Sequence, residues 1–368
     1  MKILFIDNNE RSLFPFRKEF LDRLIIDENE ILLAGNFAEK AINEYANKVR
    51  VVTLGVSLKS INPFKNLAYI FKVKKLIKEF KPDLMLTYTV KPNIFPNLFK
   101  HDCVSIANIT GLGRVFNKKG VLNILATFLY RYSFRNVSHV MFQNEHDKEV
   151  FLSKKIPVHS CSVIPGSGVN LKTFSYNELT KHKETRFLFP SRAIKTKGMK
   201  YMLKAIPLVL ANHPEATFSF LQEGEKGFER KMKKLQKEYP NNIFISSFTF
   251  GIVSKYQECD FVVSPSFHNE GVSNVLIESL AVGRPIITTK DNYGCKITLK
   301  EGLNGFGVKS KDVNSLVSAL NKACDSSLEE RIKMGQFGRK LVEKEFSREL
   351  VISEYLRVID FLVNKRKK

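Results

Sequence analysis

The stretch FHNEGVSNVLIESLAVGRP, Phe267 to Pro285, is bracketed by two short apolar runs, DFVVSPS before it and PIITT after it. Its small-residue turn opens an amphipathic helix, predicted from Asn274 to Val282, so the order is strand, turn, helix, strand. That order is the unit of a parallel α/β sheet. The free N–H groups of a helix N-terminus form a ready anion site, which places a phosphorylated ligand beside Gly271, Val272 and Ser273, with Ser273 or Asn274 as the cap. Glu270 precedes the helix and Glu278 lies about two turns further on. The two carboxylates are therefore set to meet different parts of one ligand.

The same alternation extends outward in both directions. KILFI, ILLAG, RVVTLG, DLMLTYT, CVSIANI, HVMFQN and CSVIPG read as strands with helices between most of them. The polar stretch SYNELTKHKETR has no strong periodicity and reads as a linker. RFLFPS, ATFSFLQEG, NIFISS, DFVVSPS and PIITT form a second series, with helices near Met199 to Ala211 and Lys226 to Tyr239. The C-terminal stretch is helical with a break near Phe346 to Arg348. A chain of 368 residues accommodates two such domains, and each is expected to bind ligand outside the carboxyl ends of its strands.

No apolar run approaches the ~20 residues that span a bilayer, and MKILFIDNNERS reads as a first strand without the pattern of a signal peptide. A cytoplasmic protein is expected. The five cysteines, Cys103, Cys161, Cys259, Cys295 and Cys324, are scattered and never in C-x-x-C spacing, against a disulfide framework or a zinc site. A formal net charge of +22 calls for an anionic partner. The basic residues do not interleave with aromatics as in a nucleic-acid module, so no nucleic-acid partner is expected. They fall beside apolar runs, in NPFKNLAYIFKVKKLIKEFK (Asn62 to Lys81) and NKKGVLNILATFLYRYSFRN (Asn117 to Asn136). Such helices suit an anionic membrane surface, with Leu122, Leu125, Phe128 and Leu129 buried among headgroups and Lys118, Lys119, Arg131 and Arg135 around them. The alternative is a core helix with a solvated basic face.

The E-x7-E pattern from Glu270 to Glu278 resembles the signature of the large retaining glycosyltransferase family 4. PSRAIKTKGMKYMLKAI (Pro190 to Ile206) is similar to that family's R-x4-K-G segment, VIPGSGVNLKTF (Val163 to Phe174) to its interdomain strand and turn, and GLNGFGV (Gly302 to Val308) to its late C-terminal turn. TYTVKPNIF (Thr87 to Phe95) and NITGLGRVF (Asn108 to Phe116) resemble the branch that extends polyprenyl-diphosphate-linked sugars in bacterial polysaccharide assembly. The resemblance implies a GT-B fold, two Rossmann-like α/β domains facing a central cleft. Residues 1–170 would bind the acceptor and 171–345 the nucleotide sugar, while 346–368 form a helix crossing back to the N-terminal domain.

Glycosyl transfer from a nucleotide sugar develops negative charge on the leaving diphosphate, and stabilising it is the main electrostatic task. No D-x-D pair is present to hold a divalent metal, so no cofactor and no metal are expected. Arg192 and Lys197, after the strand RFLFPS, match the family's diphosphate-binding pair. Glu278 is expected to accept hydrogen bonds from the ribose, Glu270 to contact the donor sugar, Phe248 to lie near the nucleobase, and Gly111 and Gly113 to allow close approach of acceptor or diphosphate. Three departures stand out. Asp7-Asn8-Asn9-Glu10 replaces a glycine-rich loop, leaving Arg17 as the matching basic residue. GCKITL lacks the usual glutamate, and neither His101 nor His139 has the context of the family's N-domain histidine. The expected activity is transfer of a hexose or N-acetylhexosamine from a nucleotide sugar, UDP-linked, to a polyprenyl-diphosphate-linked saccharide at the inner face of the cell membrane. The competing readings are a soluble transferase with a non-lipid acceptor, a nucleotide-sugar epimerase and a non-catalytic basic module.

Overall fold

The structure, a computed structural model, describes residues 1–45, 47–55, 60, 62–112, 116, 120–247, 252–267 and 271–367. It divides into two compact units, Met1–Ser167 with Val351–Lys368, and Gly168–Leu350. The first holds β1 (Lys2–Ile6), β2 (Glu30–Gly35), β3 (Arg50–Thr53), β4 (Leu84–Tyr88), β5 (Val104–Ile109), β6 (His139–Phe142) and β7 (Cys161–Val163). These pair in parallel in the order β3-β2-β1-β4-β5-β6-β7. The second holds β8 (Arg186–Phe189), β9 (Thr217–Gln222), β10 (Ile243–Ser247), β11 (Phe261–Ser264), β12 (Ile286–Thr289) and β13 (Gly305–Val308), also parallel, in the order β10-β9-β8-β11-β12-β13.

Both faces of each sheet are buried, as parallel sheets require, so the strands read as continuous apolar runs whose alternate residues feed different cores. In β1, Ile3 and Phe5 join one cluster while Leu4 and Ile6 join the other. Helix Arg348–Lys367 seals the first of these faces. Tyr355 stacks on Phe20 with centroids 4.6 Å apart, and its hydroxyl donates to Asn108 Oδ1. In the second unit, Met202, Ala205, Ile206 and Val209 recur at helical spacing along Met199–Leu210 and pack on Phe187, Phe218 and Phe261. Helix Asn274–Val282 covers the opposite face.

Two expectations change. SYNELTKHKETR does not join the units but lies inside the second, where Arg284 holds it. The Arg284 side chain is fully buried and donates to the carbonyls of Asn177, Tyr256, Gln257 and Val282, and to Asn177 Oδ1 at 2.7 Å. A buried guanidinium needs several acceptors, and a segment without regular structure can offer its carbonyls. The stretch GLNGFGV begins as a turn but continues as β13. A Cβ on Gly305 would lie 1.8 Å from the Ile286 carbonyl oxygen, so only glycine lets this strand approach β12 there.

Replacing Arg284 by Met removes the buried guanidinium that ties the Asn177 segment to the Tyr256, Gln257 and Val282 carbonyls. Arg284→Met is expected to lose about 3 to 5 kcal/mol of stability, read from urea unfolding.

Candidate active site

In the second unit the sheet order reverses between β8 and β11, which makes the crevice outside their carboxyl ends the expected ligand site. The loop after β8 carries Arg192 and Lys197; the segment after β11 leads to helix Asn274–Val282. Backbone contacts bring the two together. Phe267 N–H donates to the Thr196 carbonyl at 3.1 Å, and Ser266 Oγ to the same oxygen at 3.4 Å. Gly198 permits the approach. It has φ +85, and a Cβ there would sit 2.3 Å from the Pro265 carbonyl oxygen. On its other side the loop is clasped by Ala193, whose N–H donates to Glu223 O at 2.7 Å and whose carbonyl accepts from Glu225 N–H at 3.0 Å.

Arg192 is left exposed and Lys197 half-buried. A third cation, Lys311, lies 5.0 Å from the Phe267 ring centroid. The Ser266 carbonyl is fixed by Thr289 Oγ1 at 2.6 Å and Asn292 Nδ2 at 3.0 Å. Ser191 went unnoticed in the sequence: it is buried and its hydroxyl has no hydrogen-bond partner among the described residues. Its signal was a small polar residue two positions after the strand and immediately before Arg192.

Gly271, Val272 and Ser273 are buried beside the start of the helix, and Asn274 is half-buried. Ser273 occupies the N-cap position, yet its side chain makes no capping bond, contrary to expectation. The Ser273 amide donates to the Gly294 carbonyl at 3.2 Å and is not available to an anion. Glu270, Phe248 and Gly113 lie outside the described residues. Glu278 is half-buried on the helix and accepts a hydrogen bond from Tyr256 Oη at 2.9 Å. Burial raises its carboxyl to about 7, while the Tyr256 hydroxyl and the Arg348 charge pull the other way.

In the first unit Arg17 is buried. Its Nη1 lies 3.3 Å from Asp7 Oδ2, and its guanidinium sits 4.2 Å from the Tyr88 ring centroid. Burial raises the Asp7 carboxyl, against the opposing pull of Arg17, Ser12 and the Asn8 amide. Arg17, which the sequence places in the acceptor or diphosphate region, is paired in the fold with Asp7, the acid that follows β1. Gly111 follows β5 with φ 120, a conformation suited to glycine. Among the described residues no three His, Cys, Asp or Glu side chains converge as a metal site.

Residues 172–341 match the family model described as glycosyl transferases group 1, and residues 2–144 match the model described as glycosyl transferase 4-like. The chain therefore belongs to the glycosyltransferases that pair a 4-like N-terminal domain with a group 1 C-terminal domain. It is 22% identical to N,N'-diacetylbacillosaminyl-diphospho-undecaprenol alpha-1,3-N-acetylgalactosaminyltransferase of Campylobacter jejuni, covering 99% of each chain. Among solved structures it is similar to sucrose-phosphate synthase from Thermosynechococcus elongatus (TM-score 0.81, 15% identity, 99% of this chain and 100% of that one). It is also similar to Anabaena HepE in complex with UDP and glucose (TM-score 0.78, 16% identity, 98% and 99% covered). Both are GT-B neighbours, and the fold is that of two parallel α/β domains.

The raised carboxyl of Glu278 has a stability consequence of definite sign. The folded protein holds this proton more tightly than the unfolded chain, so its contribution is present below the ordinary carboxylate range and is lost as pH rises through about 7. Glu278→Gln is expected to melt higher than the parent at pH 8, with the difference shrinking toward pH 5. An equal difference at both values would contradict the assignment.

Proposed function

We propose that this glycosyltransferase retains anomeric configuration and moves a hexose or N-acetylhexosamine from a UDP-sugar to a polyprenyl-diphosphate-linked saccharide, working at the inner face of the cell membrane. The observation that carries the donor half is the tie between the Arg192–Lys197 loop and the lead-in to the anion helix. Arg192 offers a planar fork to two phosphate oxygens and Lys197 a compact charge, while the first-turn amides of the helix add fixed dipoles. Together they would hold the departing diphosphate without a divalent metal. Glu278, steadied by Tyr256, would accept from the vicinal ribose hydroxyls, and Glu270 would meet the transferred sugar. The acceptor hydroxyl would attack the anomeric carbon on the face from which UDP departs, its proton passing to the leaving phosphate as the bond from the sugar to UDP breaks.

The acceptor half is supported by two helices of the first unit that carry apolar stripes away from their cores. On Pro63–Phe80, Tyr69, Val73, Leu76 and Phe80 are buried, while Phe64 (80% exposed), Leu67 and Phe71 (60% exposed) form a second stripe at i, i+3, i+7. Lys65, Lys72, Lys75 and Lys78 are exposed on the same helix. On Val121–Ser133 the exposed residues are Ile124 (70%), Leu125, Phe128 (63%) and Tyr132, with Arg131 and Arg135 nearby. Leu129, expected among them, packs on the core, and Lys118, Lys119 and the side chain of Leu122 lie outside the described residues. Apolar stripes flanked by cations suit an anionic bilayer, where each basic residue contributes roughly 1 kcal/mol. The relative from Campylobacter jejuni is named for an undecaprenol-diphosphate substrate, which agrees with this reading.

Arg192→Ala and Lys197→Ala are each expected to slow transfer on the order of 10²-fold, measured with a panel of UDP-sugars and polyprenyl-diphosphate saccharides; activity persists with EDTA. Near-normal turnover in both variants removes the pair from the site.

The full chain is also expected to sediment with phosphatidylglycerol vesicles, to release partly at high salt, and to bind less after Phe71→Ser with Phe128→Ser or after neutralisation of Arg131 and Arg135. Indifference to lipid charge, with full activity on a water-soluble phosphate-free acceptor, would replace the lipid-linked reading by a soluble transferase.

A further inference from the structure

Helix Lys226–Glu238 of the second unit buries one stripe and charges the opposite one. Phe228, Met232, Leu235 and, just past the helix, Tyr239 recur at i, i+4, i+7 and i+11 and pack on the core that also takes Met202, Ile206 and Val209. Lys226, Arg230, Lys233 and Lys237 repeat that spacing two residues out of step, which on an α-helix is roughly 200° around. All four are exposed, as are Lys231 and Lys234 beside them. Helix Met199–Leu210 packs on the same core, so its exposed Lys200 and Lys204 belong to the same outer face.

These cations lack the partners that cations have elsewhere on the surface. On other exposed helices Lys75 pairs with Glu79, Lys148 with Glu145, Lys255 with Glu258, Lys333 with Glu329 and Arg357 with Glu354. Among the described residues no cation of helix Lys226–Glu238 forms an ion pair, although Glu229 and Glu238 lie on the helix itself. The pattern also works against the helix that carries it. Lys226 with Arg230, Arg230 with Lys234, and Lys233 with Lys237 are like charges one turn apart, and Lys226 stands at the positive end of the helix dipole. Charges that oppose their own helix and find no partner in the fold suit a partner outside it.

The chemistry of the face selects that partner. Lys231 Nζ lies 5.9 Å from the Phe228 ring centroid and covers it, so the helix offers no bare aromatic ring for a nucleic-acid base. Among the described residues of the two helices, Leu208 is the one exposed large apolar side chain. A row of cations along ~20 Å of helix, with no apolar stripe to insert, matches the anionic headgroup layer of a bilayer. We propose that this lysine face is a second bilayer contact, held on phosphatidylglycerol headgroups by charge alone. The proposal rests on the reading that the protein works at a membrane. It differs from the stripes of the first unit in having no apolar component, so salt alone should release it.

The test is sedimentation of the full chain with vesicles of phosphatidylglycerol and phosphatidylcholine in equal parts, beside pure phosphatidylcholine, at low and high salt. Lys233→Gln with Lys234→Gln and Lys237→Gln is expected to weaken binding to the anionic vesicles on the order of 10²-fold at low salt and to flatten its salt dependence. Its melting midpoint should equal or exceed the parent's, because like-charge repulsion in the helix is relieved. If it melts lower, Lys226→Gln with Arg230→Gln probes the other end of the face and should also weaken binding. Lys322→Gln with Lys340→Gln and Lys344→Gln removes the same charge from other exposed positions and should stay within a few fold of the parent. Equal losses in both triple variants would mean that net charge is read, and would overturn the proposal. So would a first triple that loses a single-stranded oligonucleotide but keeps the vesicles. Phe71→Ser with Phe128→Ser separates the two membrane claims. Residual salt-labile binding in that variant, abolished by adding the lysine triple, supports the second contact. Anionic-vesicle binding by the parent that the lysine substitutions leave unchanged defeats this proposal alone, whereas a parent that binds neither vesicle defeats the membrane reading with it.

Discussion

The hydrogen bond from Phe267 N–H to the Thr196 carbonyl joins the two loops on which the proposed donor-side chemistry depends, and a missing Cβ makes it possible. Any side chain at Gly198 would meet the Pro265 carbonyl, forcing apart the cation-bearing loop and the lead-in to helix Asn274–Val282. Thr289 and Asn292 then hold Ser266 from the next strand, so the segment is fixed from two sides. Groups that stabilise a leaving diphosphate are useful only if they are held before charge develops. Backbone contacts of this kind supply that rigidity while leaving Arg192 exposed.

The same topological position is treated differently in the two units. After β8 the chain presents cations, whereas after β1 the acid at Asp7 and the guanidinium of Arg17 neutralise each other under the Tyr88 ring. After β8, Arg192 stays exposed. The cation after β1, Arg17, is already paired and desolvated, so it organises the loop. The contrast comes from one acidic residue following the first strand.

The helices Pro63–Phe80 and Val121–Ser133 show where pattern reading runs out. Their sequences establish that they are amphipathic and basic. With both cores assembled, an apolar stripe remains outside on each, including Phe64, Phe71, Ile124 and Phe128. A periodicity reports that apolar residues share a face, but two stripes on one helix overlap in the sequence, and only packing separates the buried one from the exposed one. Leu129 was read into the wrong stripe for this reason.

The sequence by itself determined the alternating α/β order, the strands from KILFI to PIITT, the helix Asn274–Val282 and the break before Arg348, because burial on both faces of a parallel sheet forces long apolar runs with strong turn signals between them. It also singled out Arg192, Lys197 and Glu278 through their resemblance to the family's R-x4-K and E-x7-E motifs. Tertiary structure alone decided that Ser175 to Arg186 is bound inside the second unit by Arg284, that the Ser273 amide is used by Gly294, that Arg17 is an internal partner of Asp7, and that Ser191, Asn8 and Thr89 carry buried polar atoms with no hydrogen-bond partner among the described residues. Each of these depends on groups distant in the chain meeting after folding. A one-dimensional pattern records the burial preference of a residue but not which acceptor or donor it will find.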